Sequence, residues 1–254
     1  MSWPPDKRAA SSSVTPTVPD GEVVYAIGDI HGRTDLLSAL LALIERDAAR
    51  GDPSKKTLVF LGDYVDRGPD SRGVIEMLSA GPLGGFDAHY LKGNHEQFLL
   101  DFLKDPDCLH AWCRNGGKPT LTSYGVDIDR LERIGAPPEA WRDAFAAALP
   151  PAHLRFLENL ELTCVIGDYV FVHAGLRPGV PLAEQVADDL LWIRHEFLDA
   201  EEPFGKIVVH GHTPERKPVV RTNRIGIDTG AVFSGCLTAL RIANGTRDFL
   251  QTVP

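Results

Sequence analysis

The residues of this sequence best equipped to act together fall in five short stretches. They are Gly28-Asp29-Ile30-His31-Gly32, Gly62-Asp63-Tyr64-Val65-Asp66-Arg67-Gly68, Gly93-Asn94-His95-Glu96, His173-Ala174-Gly175 and His210-Gly211-His212-Thr213. Five of the nine histidines lie here, with three aspartates and an asparagine. A donor set of nitrogen and oxygen without thiolate suits Mn²⁺, Fe or Zn²⁺ better than it suits a cysteine-based structural zinc site. The chemistry such a set offers is hydrolysis by metal-activated water.

Taken singly, each stretch has an ordinary explanation. Asp or Asn beside Gly is turn chemistry, and a lone histidine near a strand end is commonly structural. That explanation would have to hold independently at five places. Two competing chemistries fail outright. Gly117-Lys118 is followed by Pro119, and position 112 is Trp, so the phosphate loop GxxxxGK[ST] is absent. No GxSxG elbow presents a serine nucleophile either.

Each stretch follows a segment that reads as a strand. Val23–Ile27, Thr57–Leu61 and Ala88–Leu91 are β-rich runs. Helical patterns follow at Leu36–Ala49, from Ser71, a candidate cap, through Met77 and Leu78, and at Glu96–Leu103. Three such units predict α/β architecture with parallel strands, whose carboxyl ends gather functional groups. Residues 105–160 lose the strand signal and read as a helical insert or cap.

Beyond the insert, Leu162–Ile166 and Tyr169–His173 read as a hairpin across Gly167-Asp168. Pro181–Leu198 reads as a helix, Lys206–Val209 as a strand, Val219–Arg221 and Arg224–Ile227 as a pair flanking Thr222-Asn223, and Cys236–Ile242 as the closing strand. Two sheets packed face to face, with helices outside, are expected.

The composition narrows the setting. The chain has 254 residues, 43% of them hydrophobic and 24% charged, with a formal net charge of −9. That excludes a disordered or fibrous chain and leaves no general field for nucleic acid or an anionic membrane. No run reaches the ~18–20 apolar residues of a membrane span. Residues 1–20 read as a flexible tail without a secretory signal, and 21–254 as one catalytic domain. Four cysteines without a CxxC pair point to a reducing, cytoplasmic location.

The motifs GDIHG, GDYVDRG, GNHE, HAG and HGHT, in this order, resemble the metallophosphoesterase signature of the phosphoprotein phosphatase family. Ile227–Val232 (IDTGAV) resembles that family's closing strand. The resemblance implies a calcineurin-like fold, an α/β class four-layer α/β/β/α sandwich with a helical insert, and two divalent metal ions, with Mn²⁺ preferred over Fe or Zn²⁺. It implies that Asp29 and His31 hold the first metal, that Asp63 bridges both, and that Asn94, His173 and His212 complete the second. Only a carboxylate can share its two oxygens between ions, which fits Asp63 and not Asn94. Asn94 would also meet a phosphate oxygen.

His95 resembles the family's general acid, oriented and kept charged by Asp66. Arg67 and Arg194 resemble its phosphate-binding arginines. His210 stays open between a structural role and one behind the metals. The implied activity is hydrolysis of phosphoserine and phosphothreonine monoesters by direct attack of a metal-bridging hydroxide. The alternative is a bis(5'-nucleosyl)-tetraphosphatase acting on diadenosine tetraphosphate. An inactive scaffold comes last, since every ligand position is occupied. Asn115-Gly116-Gly117, Thr120 and Ser123-Tyr124-Gly125 resemble the small bacterial protein phosphatases. Arg33 departs from the pattern and would offer a polyphosphate an added cation. The insert is expected to cover one side of the site and help choose the substrate.

Overall fold

A computed structural model describes residues 15–51 and 53–253. Three strand-loop-helix units come first: β1 (Glu22–Ile27), α1 (Thr34–Ala48), β2 (Lys55–Phe60), α2 (Ser71–Ser79), β3 (Asp87–Tyr90) and α3 (Asn94–Lys104). The strands pair in parallel, with Val24 opposite Thr57 and Val59 opposite His89. A 3₁₀ turn and five helices follow: α4 (Leu109–Arg114), α5 (Gly117–Ser123), α6 (Ile128–Arg133), α7 (Pro138–Ala148) and α8 (Pro151–Glu158). Prolines open α7 and α8, where a missing N–H costs nothing and the fixed φ suits the first turn.

The second half contains β4 (Thr163–Ile166), β5 (Tyr169–Val172), α9 (Ala187–Trp192), α10 (His195–Leu198), β6 (Ile207–His210), β7 (Val219–Val220), β8 (Arg224–Gly226), α11 (Ala231–Ser234), β9 (Thr238–Ala243) and β10 (Thr246–Gln251). One sheet runs β10-β9-β1-β2-β3 and the other β4-β5-β6-β8-β7.

Strand alternation builds the layers. Val24, Ala26, Val59, Leu61, Leu240 and Ile242 of the first sheet meet Tyr169, Phe171, Val209 and Ile225 of the second. The alternate residues Val23, Tyr25, Ile27, Leu58 and Phe60 face the large helical layer. On the far side Val170, Val172 and Val208 pack against Leu190, Ile193 and Phe197. With both faces of the central strands buried, the fold is the expected four-layer α/β/β/α sandwich.

Several expectations are corrected. Cys236–Ile242 contributes β9, but this strand joins the first sheet, beside β1, and the unforeseen β10 follows it. β10 is largely exposed, so its apolar signal is weak. Pro181–Leu198 is broken into a 3₁₀ turn and two short helices, with Ile193 and Arg194 out of helical conformation between them. Gln185 holds that loop through the carbonyls of Arg177 and Val180, and Arg177 pairs with Asp189. The cap of α2 is Asp70, which accepts from the Gly73 N–H, while Ser71 turns inward. Residues 15–20 also depart from a free tail. Val18 is buried between the sheets, and Thr17 exchanges hydrogen bonds with Asp168. The remainder of the proposed tail lies outside the described residues. No described helix is long and apolar enough to cross a membrane.

Candidate dinuclear metal centre

The five stretches meet at the carboxyl ends of β1, β2, β5 and β6 and at the start of α3. The turns that carry them are unusually bent. Among the described residues six non-glycine residues have positive φ, and five of them are His31, Asp63, Asp66, Arg67 and His212. Such conformations cost energy and persist where surrounding contacts over-determine them. Glu96 supplies many of those contacts. Its buried carboxylate accepts from the N–H groups of Asp63, Tyr64, Val65 and Gly93 at 2.8–3.2 Å, which fixes the β2 turn onto α3. Gly93 lets the turn close, because a Cβ there would collide with Asp63 Oδ1.

Two groups of ligand atoms converge, each within 4.8 Å: His31, Asp63 and His95 in one, Asp63, His173 and His212 in the other. Asp63 belongs to both. Its Oδ2 lies 3.6 Å from His31 Nε2, and its Oδ1 lies 3.4 Å from His173 Nε2. Asn94 Oδ1 sits 2.9 Å from His173 Nε2 and 2.8 Å from His212 Nδ1. Asp29 belongs to neither group: its two oxygens accept the His212 N–H, and Asp228 stands beside it.

The donor set fits divalent cations. The Nδ1 atoms of His31 and His173 face the carbonyls of Val65 and Leu61 at 2.8 and 2.9 Å. Donation there leaves each Nε2 as a lone pair turned toward Asp63. Around His173, lone pairs of Asn94, Asp63 and His212 then converge with too few protons to join them. Burial, the first cause in each case, lowers His31 and His212 and takes His173 down to about 3, so these rings are neutral. Burial and like charge raise Asp29 and Asp63. A buried group of carboxylates and neutral imidazoles is short of positive charge, and cations would supply it.

Beside this group, His95 Nδ1 meets Asp66 Oδ2 at 2.7 Å, while the buried Nε2 has no hydrogen-bond partner among the described residues. That nitrogen stands 3.9 Å from Asp63 Oδ2. Burial, reinforced by Arg67, lowers His95 to about 3, and burial raises Asp66 to about 7 against the donors Thr120 and Trp112. Both shifts follow from burial and work against an ion pair between the two side chains.

Arg67 and Arg194 are exposed at the mouth. One Arg67 guanidinium nitrogen donates to His31 Nε2 at 2.7 Å, and Arg194 donates to Thr213 Oγ1 at 3.1 Å. Arg33 forms a bidentate pair with Asp35 and donates to the Ala231 carbonyl. His210 is buried against Phe197 and near Arg224, with Nδ1 on the Gly211 carbonyl, and takes no place among the converging atoms. Sequence reasoning assigned no role to Glu96, Asp228, Trp112 or Thr120. Glu96 and Asp228 lie within quoted motifs, which was the available signal. Trp112 and Thr120 reach Asp66 from 46 and 54 residues away, and nothing in the sequence marks that contact.

A model of the calcineurin-like phosphoesterase family matches residues 23–235. The chain is 30% identical over 223 residues to serine/threonine-protein phosphatase 1 of Salmonella typhimurium strain LT2, covering 86% of this chain and 91% of the relative. It is also 30% identical over 236 residues to the asymmetrical bis(5'-nucleosyl)-tetraphosphatase PrpE of Bacillus subtilis strain 168, covering 85% and 88%. The crystal structure of a cold-active protein-tyrosine phosphatase from a psychrophilic Shewanella superposes with a TM-score of 0.55 at 20% identity, covering 95% of this chain and 85% of that one, a likeness of fold.

Proposed function

The chain belongs to the calcineurin-like phosphoesterase family of metal-dependent hydrolases, and from that premise we propose that it hydrolyses phosphoserine and phosphothreonine monoesters. The observation that carries the reading is Asp63, whose two oxygens face two separate groups of nitrogen donors beside the unpartnered Nε2 of His95. Asp29, His31 and Asp63 would hold one divalent cation, and Asp63, Asn94, His173 and His212 the other. When bound, such cations would lower the pKa of a coordinated water and neutralise charge on phosphate.

The chain's own groups do the rest. Arg67 and Arg194 hold phosphoryl oxygens through their forks of N–H donors, with Asn94 beneath. His95 hands a proton from Nε2 to the leaving alkoxide, and Asp66 keeps the ring aimed. An arriving phosphate brings negative charge beside that ring, which favours its protonated form against the cost of burial.

Similarity to the tetraphosphatase keeps a dinucleoside polyphosphate as the second reading. The commitment of Arg33 to Asp35 favours the monoester, because the extra cation for a polyphosphate chain is already engaged. Phosphate release with Mn²⁺, from a phosphothreonine peptide and from diadenosine tetraphosphate side by side, tests this with EDTA as control. Faster peptide turnover is expected; faster nucleotide turnover reverses the order of the two readings.

A further inference from the structure

The segment Trp112–Thr120 carries a motif to which the proposed chemistry gives no role. It touches Asp66 and Arg67, consecutive non-glycine residues in left-handed conformation at φ 73° and 66°. Trp112 Nε1 donates to Asp66 Oδ2 at 2.8 Å and to Oδ1 at 3.1 Å. Thr120 Oγ1 donates to Asp66 Oδ1 at 2.7 Å and accepts the Asp66 N–H at 2.9 Å. Ser71 Oγ closes the group, 2.9 Å from Thr120 Oγ1 and 3.0 Å from the Asp66 nitrogen. The Arg67 N–H donates to the Gly116 carbonyl at 3.0 Å.

The segment is shaped for this contact. Gly116 has φ 105°, and a Cβ there would stand 2.7 Å from Arg67 Cγ and 2.9 Å from its nitrogen. A Cβ at Gly117 would stand 2.6 Å from the Trp112 ring. Trp112 is anchored in turn, fully buried with ring centroids 5.0 Å from Phe102 and 5.6 Å from Phe145. Both Asp66 oxygens are thereby occupied, so the carboxylate cannot rotate away from His95 Nδ1.

We propose that Trp112 and Thr120 are positioning residues for proton delivery, and that the Gly116 carbonyl positions Arg67 for phosphate. One segment of the helical layer thus sets two functions of the site at once. The inference rests on the reading of His95 as proton donor.

The test separates substrates by leaving group. A phosphoserine peptide leaves as an alkoxide that needs a proton, whereas p-nitrophenyl phosphate leaves as a stabilised phenolate. Trp112→Phe and the near-isosteric Thr120→Val are expected to lower kcat on the peptide by on the order of tenfold. Their loss on p-nitrophenyl phosphate should stay within about threefold, with KM and bound Mn²⁺ little changed. Gly116→Ala is expected instead to raise KM for both substrates together. Equal kcat losses on the two substrates, or loss of metal, in both Trp112→Phe and Thr120→Val would overturn the positioning role and leave a structural one. His95→Asn, run alongside, should show the leaving-group split more strongly than either. If it shows none, the assignment of His95 and the inference built on it fall together.

Discussion

Asp63 turns Oδ2 toward His31 Nε2 at 3.6 Å and Oδ1 toward His173 Nε2 at 3.4 Å. One buried carboxylate, set at φ 52° by the Glu96 hydrogen bonds to its turn, thereby joins two groups of donors that arrive from opposite halves of the chain. Its replacement should abolish the site as a pair. Asp63→Asn keeps the shape but offers one oxygen and an N–H₂ in place of the second. We expect activity to fall by on the order of 10³ or more and bound metal to drop below two ions per chain. Elemental analysis beside a phosphatase assay checks both, and a variant that keeps two ions argues against Asp63 as the bridge.

His95 is separated from that outcome by its geometry. Its Nδ1 is taken by Asp66, and its buried Nε2 has no hydrogen-bond partner among the described residues. His95→Asn should therefore lose turnover on alkyl phosphates by about 10²–10⁴ while keeping its metals. Metal loss in this variant would make His95 a ligand instead.

Glu96 tests the scaffold beneath the site. Four backbone N–H groups point at its carboxylate, and burial raises its pKa to about 7 against their pull. Glu96→Gln turns an N–H₂ onto some of those donors and leaves them unsatisfied. The cost should be about 3 kcal/mol, a fall in Tm of roughly 6–12 °C for a chain of this size, with weakened metal binding. Differential scanning calorimetry on the wild type and variant measures it; an unchanged Tm would show that the turn is held by other contacts.

His210 gives the pH prediction. Burial, its first cause, lowers this imidazole to about 4 from an ordinary 6.5. The unfolded chain therefore binds the proton first, so the stability that His210 lends is present above pH 6.5 and lost as pH falls toward 4. That loss is roughly 3 kcal/mol. His210→Gln removes the titration, so its stability should fall less than the wild type's between pH 6.5 and 4. Urea denaturation at several pH values reads the slope, and parallel curves would mean that the ring is not titrating there.

Much of this is legible in the sequence. Polar stretches such as Gly28–Gly32 and Gly62–Gly68 are local, and a turn's chemistry is written in the residues that make it. The strand-loop-helix order of the first hundred residues is local as well, since the near-continuous apolar runs of Val23–Ile27 and Thr57–Leu61 report two buried faces directly. Segments with weaker patterns mislead for the same reason. The exposed strand Thr246–Gln251 carries little apolar signal, and the break at Ile193-Arg194 sits inside a sequence that is helical in composition on both sides.

By itself the sequence determined which residue types stand at the strand ends, and so the nitrogen and oxygen chemistry open to them. Only the tertiary structure decided how those residues divide the work. It turned the two oxygens of Asp63 to different histidines and brought Trp112 and Thr120 onto Asp66. The physical reason is that these are contacts between segments tens of residues apart, fixed by the packing of a helical layer on a sheet. Local spacing carries no record of them.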